Sequence, residues 1–315
     1  MKKPLIIITG PTAVGKSKTA VKLARKINGS IISADSMQVY KGLDIGSAKV
    51  TAEEMEGIKH YLIDVLEPTQ EFHVVAFKEM AKAAIEEIYA KGKIPIVTGG
   101  TGFYIQALLY DVDFTETAED KRGRENFREY AEKYGNGALH DLLKEVDPKA
   151  AQEIHENNVK RVIRALEYYY ETGTPISKHN EEQKNNESPY DFEYFVLTDD
   201  RAKLYKRINA RVDEMFEAGL EAEVRGLYDS GLRAENISML GIGYREFFPY
   251  FEGKCSIGEV RENIKKDTRH FAKKQLTWFK RERDVRWIDI AEFKRDTGHI
   301  AAYIAEKAKK DGITG

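Results

Sequence analysis

Leu5-Ile6-Ile7-Ile8-Thr9-Gly10-Pro11-Thr12-Ala13-Val14-Gly15-Lys16-Ser17 joins an apolar run to a glycine-bracketed turn. The turn fits G-x-x-x-x-G-K-[ST], the phosphate-binding P-loop. Leu5 to Ile8 reads as a buried parallel strand. After the turn, Ala20, Leu23, Ala24 and Ile27 recur at helical spacing, and Asn28-Gly29 reads as the helix stop. The motif therefore stands in the strand–loop–helix context that gives it meaning. Gly10 and Gly15 permit the tight backbone path. Successive amides and a helix N-terminus then face an anion. Gly10, Pro11, Thr12, Ala13, Val14, Gly15, Lys16 and Ser17 form the expected phosphate cradle. Lys16 adds a charge at the terminal phosphate, and Ser17 offers a hydroxyl to Mg²⁺.

Working outward, strand and helix patterns alternate through the first third, which implies a parallel sheet flanked by helices. Ser30–Ser33 reads as the second strand, His60–Val65 as the third and Ile94–Thr98 as the fourth. Phe77, Met80, Ala84, Ile85 and Ile88 share one helical face, ending near Gly92, and another helix starts at Phe103. Ligands in such sheets sit beyond the carboxyl ends of the strands. The P-loop, Asp35 and Thr101 all fall at such ends, so they should surround one crevice.

The pattern changes from about Asp113 to Pro189. Strand runs vanish, helical spacing takes over, and 17 acidic residues face 12 basic ones. Its best helix is Asn157 to Thr172, stopped by Gly173. We read residues 113–189 as a helical insertion in a P-loop α/β core made of 1–112 and 190–315. Tyr194–Thr198 returns to strand character, followed by a helix through Ala218. Residues 261–286 read as a basic, mostly helical run with ten Lys or Arg against four acids, and Phe271, Trp278 and Phe279 interleaved. Such a run is either a solvated face or a phosphate-backbone surface.

Composition sets limits. With 50 basic and 52 acidic residues the net charge is −2, so any nucleic-acid contact must be local. The one cysteine, Cys255, excludes a disulfide or a cysteine metal cage. No apolar run suggests a leader or a membrane span, which predicts a cytoplasmic protein.

Several residues carry potential chemistry. Asp35 reads either as a turn-capping residue or as a base opposite the phosphate loop. Thr101, in Gly99-Gly100-Thr101-Gly102, is a simple turn residue or a ligand donor. Arg207 and Arg211 lie four apart on one helix, and Arg211 could reach a developing pyrophosphate charge. Arg161 and Arg164 share a face of the insertion helix. The fourth strand runs into Thr98-Gly99-Gly100 rather than into the usual Mg²⁺-holding Asp, and N-K-x-D is absent, which argues against a GTPase or a motor ATPase. A small-molecule kinase stays open on spacing alone.

The stretches Gly10–Ser17, Ala34–Tyr40, His60–Asp64, Gly99–Tyr104, Arg161–Glu167, Gly241–Glu246 and Thr268–Phe279 together resemble the bacterial tRNA dimethylallyltransferases. The blocks occur in family order from residue 5 to about 290. Ser17 replaces a common Thr, and Tyr61 a common His. The resemblance implies transfer of a dimethylallyl group from dimethylallyl pyrophosphate to N6 of the adenosine 3′ to the anticodon, position 37, in tRNAs reading codons that begin with U. It implies Asp35, Lys16, Thr101 and Arg211 as catalytic residues. Asp35, Ser36, Met37, Gln38 and Thr101 would meet the target base. Val159, Lys160, Arg161, Val162, Ile163 and Arg164, with Arg122 or Arg124, would contact the anticodon stem-loop. The expected unit is a monomer with Mg²⁺.

Overall fold

The computed structural model describes residues 2–113 and 121–314. The chain divides into two compact units, Met1–Leu109 with Pro189–Gly315, and Tyr110–Ser188.

The first unit is built on a six-stranded sheet, all of it parallel. Its strands are β1 (Lys3–Thr9), β2 (Gly29–Ala34), β3 (His60–Tyr61), β4 (Ile94–Gly99), β5 (Tyr190–Thr198) and β6 (Val285–Asp289), in the spatial order β3-β2-β4-β1-β5-β6. Leu5 to Ile8 of central β1 are all buried, as a strand covered on both faces requires. The helices of the first third are α1 (Lys16–Ile27), α2 (Val74–Ala90) and α3 (Gly102–Leu109). Chain order departs from spatial order at β1, whose neighbours are β4 and β5. That switch opens a crevice beyond the strands' carboxyl ends, where the P-loop begins.

The second unit is helical, with α4 (Lys121–Tyr134), α5 (Asn136–Val146), α6 (Pro148–Glu153), α7 (Val159–Thr172) and α8 (Ile176–Lys184). Leu139, Leu143, Val162, Ile163 and Leu166 form its core. Buried Asp147 staples two helix starts, accepting from the Ala150 amide and from the Ser177 amide and hydroxyl. Gly173 ends α7 in the left-handed conformation, at φ 67°.

After β5 come α9 (Arg201–Glu217), α10 (Leu220–Asp229), α11 (Phe248–Phe251), α12 (Ile257–Phe279) and, beyond β6, α13 (Thr297–Lys310). Ile6 and Ile8 share a core with Leu23 and Ala24 of α1 and Ile300 and Ile304 of α13. Among the described residues no helix is long and apolar enough to cross a membrane.

One expectation needs correcting, and the structure adds three details. The third strand ends at Tyr61 rather than Val65, because Leu62 and Asp64 adopt positive φ and Asp64 turns to pair with buried Lys49. Asn28 alone supplies the left-handed helix stop. Gly29 is already strand, and a Cβ there would lie 2.8 Å from Ile96 Cδ1. The strand β6 was not expected. The basic run 261–286 is not one element, since α12 stops at Phe279 and Arg286 lies on β6.

Candidate active site

The P-loop takes the strained path its sequence requires. Gly10 has φ 143°, and a Cβ there would lie 2.4 Å from the Leu197 carbonyl. Ala13, with a side chain, still adopts φ 61°. Its carbonyl accepts from Arg207 Nε at 2.9 Å, which holds the strained residue in place. Arg207 Nη1 also bonds Asp199 Oδ2 at 2.6 Å, and Arg295 donates twice to the same carboxylate. Burial opposes ionisation of Asp199, but these arginines and the Asp200 amide hold its pKa at about 2. Asp200 caps α9. Arg207 thus braces the loop from outside the cavity.

Lys16 Nζ donates to the Pro11 carbonyl at 2.8 Å. Burial, with Arg211 adding repulsion against the pull of Asp35, lowers its pKa to about 7. Burial also presses Arg211 downward, opposed by Glu54 and Asp35, and its Nη2 reaches the Ala48 carbonyl at 3.4 Å. A guanidinium stays charged regardless.

A cavity of about 450 Å³ is lined by Lys16, Ser17, Asp35, Thr101 and Arg211. Residues from four distant stretches thus meet in one crevice. Ser36, Met37 and Gln38 line it too, and Ile31, Ile63, Phe72, Val212 and Met215 give it an apolar wall. Asp35 Oδ1 accepts from the amides of Met37 and Gln38, at 2.8 and 3.3 Å. Both readings of Asp35 therefore hold together geometrically. One oxygen forms the turn, and among the described residues no hydrogen bond engages the other. The Gln38 side chain is occupied by Ser33 Oγ and by the carbonyls of Ser47 and Ala48.

Two supports escaped the sequence reading. Gln275 of α12 touches both loops of the crevice, taking the Thr12 amide and donating to the Gly100 carbonyl. Glu223 of α10 accepts the amides of Asp44, Ile45 and Gly46, and receives the hydroxyl of buried Tyr244 at 2.8 Å. Tyr244 in turn accepts from the Ser47 amide. This latch positions the loop whose Ala48 carbonyl meets Arg211. Tyr244 lies in the Gly241–Glu246 stretch, which carries the sequence signal for this latch.

The helical unit distributes its residues differently. Lys160 and Arg161 are exposed, and among the described residues neither has an ion pair. Arg164 and Val159 are half-buried. Val162 and Ile163 are 0% and 4% exposed, so they fill the core and their side chains leave the expected RNA surface. Arg124 grips buried Glu167 through Nε and Nη2, at 2.9 and 3.2 Å. The side chain of Arg122 lies outside the described residues.

On α12 the basic run splits. Arg261 and Lys265 pair with Asp213, Arg269 bonds Asn209, and Arg286 of β6 pairs with Glu193 and Asp311. Those four serve the fold. Lys273, Lys274 and Arg281, with His270, Thr277 and Trp278, line a shallow groove of about 380 Å³. Phe279 is fully buried, whereas Phe271 is 40% exposed and lines the crevice.

Fold and site define a P-loop α/β protein whose crevice is lined by Lys16, Arg211, Ser17, Thr101 and Asp35. A family profile described as IPP transferase matches residues 38–282. A tRNA dimethylallyltransferase from Lachnoclostridium phytofermentans is 55% identical over 311 residues, covering 99% of each chain. One from Bacillus cytotoxicus is 48% identical, covering 97% of this chain and 96% of its own. The solved full-length tRNA isopentenylpyrophosphate transferase of Bacillus halodurans matches with TM-score 0.74 and 43% identity over 98% of both chains. A eukaryotic dimethylallyltransferase acting on tRNA matches with TM-score 0.85 and 32% identity, over 98% of this chain and 80% of that one. The chain belongs to the IPP transferase family.

Proposed function

We propose that this protein transfers a dimethylallyl group from dimethylallyl pyrophosphate to N6 of adenosine 37 in tRNAs reading codons that begin with U. The observation that carries this reading is the single cavity joining Lys16, Ser17 and Arg211 to Asp35 and Thr101. The relatives named above favour it over a kinase.

The chemistry follows from the groups present. The adenine N6 attacks the allylic carbon, and the carbon–oxygen bond to pyrophosphate breaks. Lys16, Arg211 and the P-loop amides stabilise the charge that develops on the departing pyrophosphate. As N6 bonds to carbon it becomes acidic, and Asp35 accepts its proton. Thr101 lines the channel between donor and base. Ser17 presents an oxygen donor suited to Mg²⁺, and among the described residues no cluster of three or more His, Cys, Asp or Glu forms a cage. Mg²⁺ would draw its other ligands from water and phosphate oxygens, and would add Lewis-acid neutralisation of the leaving group.

The target base leaves its stack to enter the crevice. Asp35, Ser36, Met37, Gln38 and Thr101 meet it there. Lys160 and Arg161 supply phosphate contacts from the helical unit, and Lys273, Lys274 and Arg281 from α12. We take the working unit to be a cytoplasmic monomer.

The test is prenyl transfer. The protein, Mg²⁺ and labelled dimethylallyl pyrophosphate are mixed with an anticodon stem-loop bearing A37, or G37 as a control. Label is expected in the A37 RNA alone. ATP consumed with a small acceptor, and no transfer, would return the kinase. A second expectation concerns Arg161→Ala. It should weaken stem-loop affinity several-fold and lower the salt slope of binding by about 1, leaving donor affinity unchanged. Unchanged RNA affinity would give Arg161 back to the solvated surface.

A further inference from the structure

Gln275 is the side chain the proposed reaction does not use, yet it sits between the two loops that form the crevice. It is 5% exposed, on the buried face of α12. Its Oε1 accepts from the Thr12 amide at 2.9 Å, and its Nε2 donates to the Gly100 carbonyl at 3.0 Å. The partners fix the orientation of the amide, since a backbone N–H only donates and a carbonyl only accepts. Only a carboxamide offers both functions in this arrangement. Glutamate lacks the donor, and methionine, of similar shape, lacks both.

The neighbourhood is built around this contact. A Cβ on Gly100 would lie 2.1 Å from Gln275 Nε2, and one on Gly102 would lie 2.2 Å from Trp278 Cδ1, one turn further along α12. Two glycines of the Gly99–Gly102 turn thus admit α12 side chains at close range. Thr12 belongs to the phosphate loop, and Gly100 precedes Thr101. The Thr12 amide points at Gln275, so the anion is left to the other amides of the loop.

We propose that Gln275 is a positioning residue for the pyrophosphate. It fixes the start of the P-loop against the Gly99–Gly102 turn, and so sets the distance between the donor's pyrophosphate and the wall that receives the base. This rests on the reading that the P-loop holds the pyrophosphate end of a prenyl donor. Losing both bonds frees the loop to sample other paths, and an ordered anion site weakens when its amides lose their alignment.

The probe is inorganic pyrophosphate with Mg²⁺, measured by calorimetry on wild type and Gln275→Met, beside KM for the prenyl donor and KM for the stem-loop. Gln275→Met should bind pyrophosphate about tenfold more weakly, ~1.4 kcal/mol. Its donor KM should rise in parallel, with the stem-loop KM within about twofold of wild type. A purely structural role would lower the melting temperature and the active fraction but leave both constants unmoved. Gly100→Ala is the second probe, since its new methyl drives Gln275 away without substituting any P-loop residue. It should reproduce the loss, and it decides the matter if Gln275→Met fails to fold. Wild-type affinity and donor KM in a folded variant would overturn the positioning role. Failure of wild type itself to bind pyrophosphate would instead overturn the proposed function.

Discussion

Asp35→Asn loses turnover by about 10²–10⁴-fold and keeps its affinity for the anticodon stem-loop within about twofold. Asparagine retains an oxygen at the Oδ1 position, so the bonds from the Met37 and Gln38 amides survive and the turn keeps its shape. What disappears is the negative charge and the capacity to accept a proton. The measurement is single-turnover transfer of labelled dimethylallyl to saturating RNA, with RNA binding measured separately. Asp35→Ala removes the turn bonds as well, and should add a stability loss of about 1 kcal/mol to the same kinetic defect. If both variants turn over like wild type, Asp35 is a turn residue and the base lies elsewhere. A defect in alanine that asparagine repairs would assign Asp35 to the turn alone.

This pair of variants separates two roles that the sequence could only set side by side. Asp35 after a strand is equally suited to capping a turn and to doing chemistry, because a short carboxylate satisfies both. The structure assigns one oxygen to the turn and places the residue on the crevice wall. The central sheet was legible for a different reason. Four branched apolar residues before a glycine-rich turn admit few conformations, and β1, α1 and β4 follow from local chemistry. The third strand failed because its length depends on a distant partner. Asp64 leaves the strand direction for Lys49, a pairing that no local pattern shows. The strand β6 was missed because only Ile288 of Val285-Arg286-Trp287-Ile288-Asp289 is buried, so its alternation carries a weak signal. Val162 and Ile163 were read within one segment with Arg161. A helix turns about 100° per residue, so adjacent positions go to core and solvent. Gln275 lies within Thr268–Phe279, but its partners are 263 and 175 residues away. Spacing cannot find a contact of that kind.

Lys16→Met should cost about 10²–10³-fold in turnover, as loss of one preorganised charge at a developing anion does. Its pH behaviour distinguishes it from every other variant. In the free site Lys16 titrates near pH 7, held down by burial and by Arg211. A bound pyrophosphate favours the charged form and raises that pKa. Below pH 7 the ammonium is already present, and binding takes up no proton at Lys16. Above pH 7 the free site is neutral there, so binding must take up a proton. Affinity then falls with rising pH, by as much as tenfold per unit, until the pKa of the complex is reached. Calorimetry at pH 8 in buffers of different ionisation enthalpy should show an uptake approaching one proton in wild type, beyond that of Lys16→Met, which also corrects for pyrophosphate's own titration. The neighbours supply the internal check. Arg211→Met removes a repulsion and should move the midpoint up, whereas Asp35→Asn removes an attraction and should move it down. Equal proton uptake in wild type and Lys16→Met would mean that the lysine does not change its charge on binding, and its contribution would then owe nothing to a proton gained from solution.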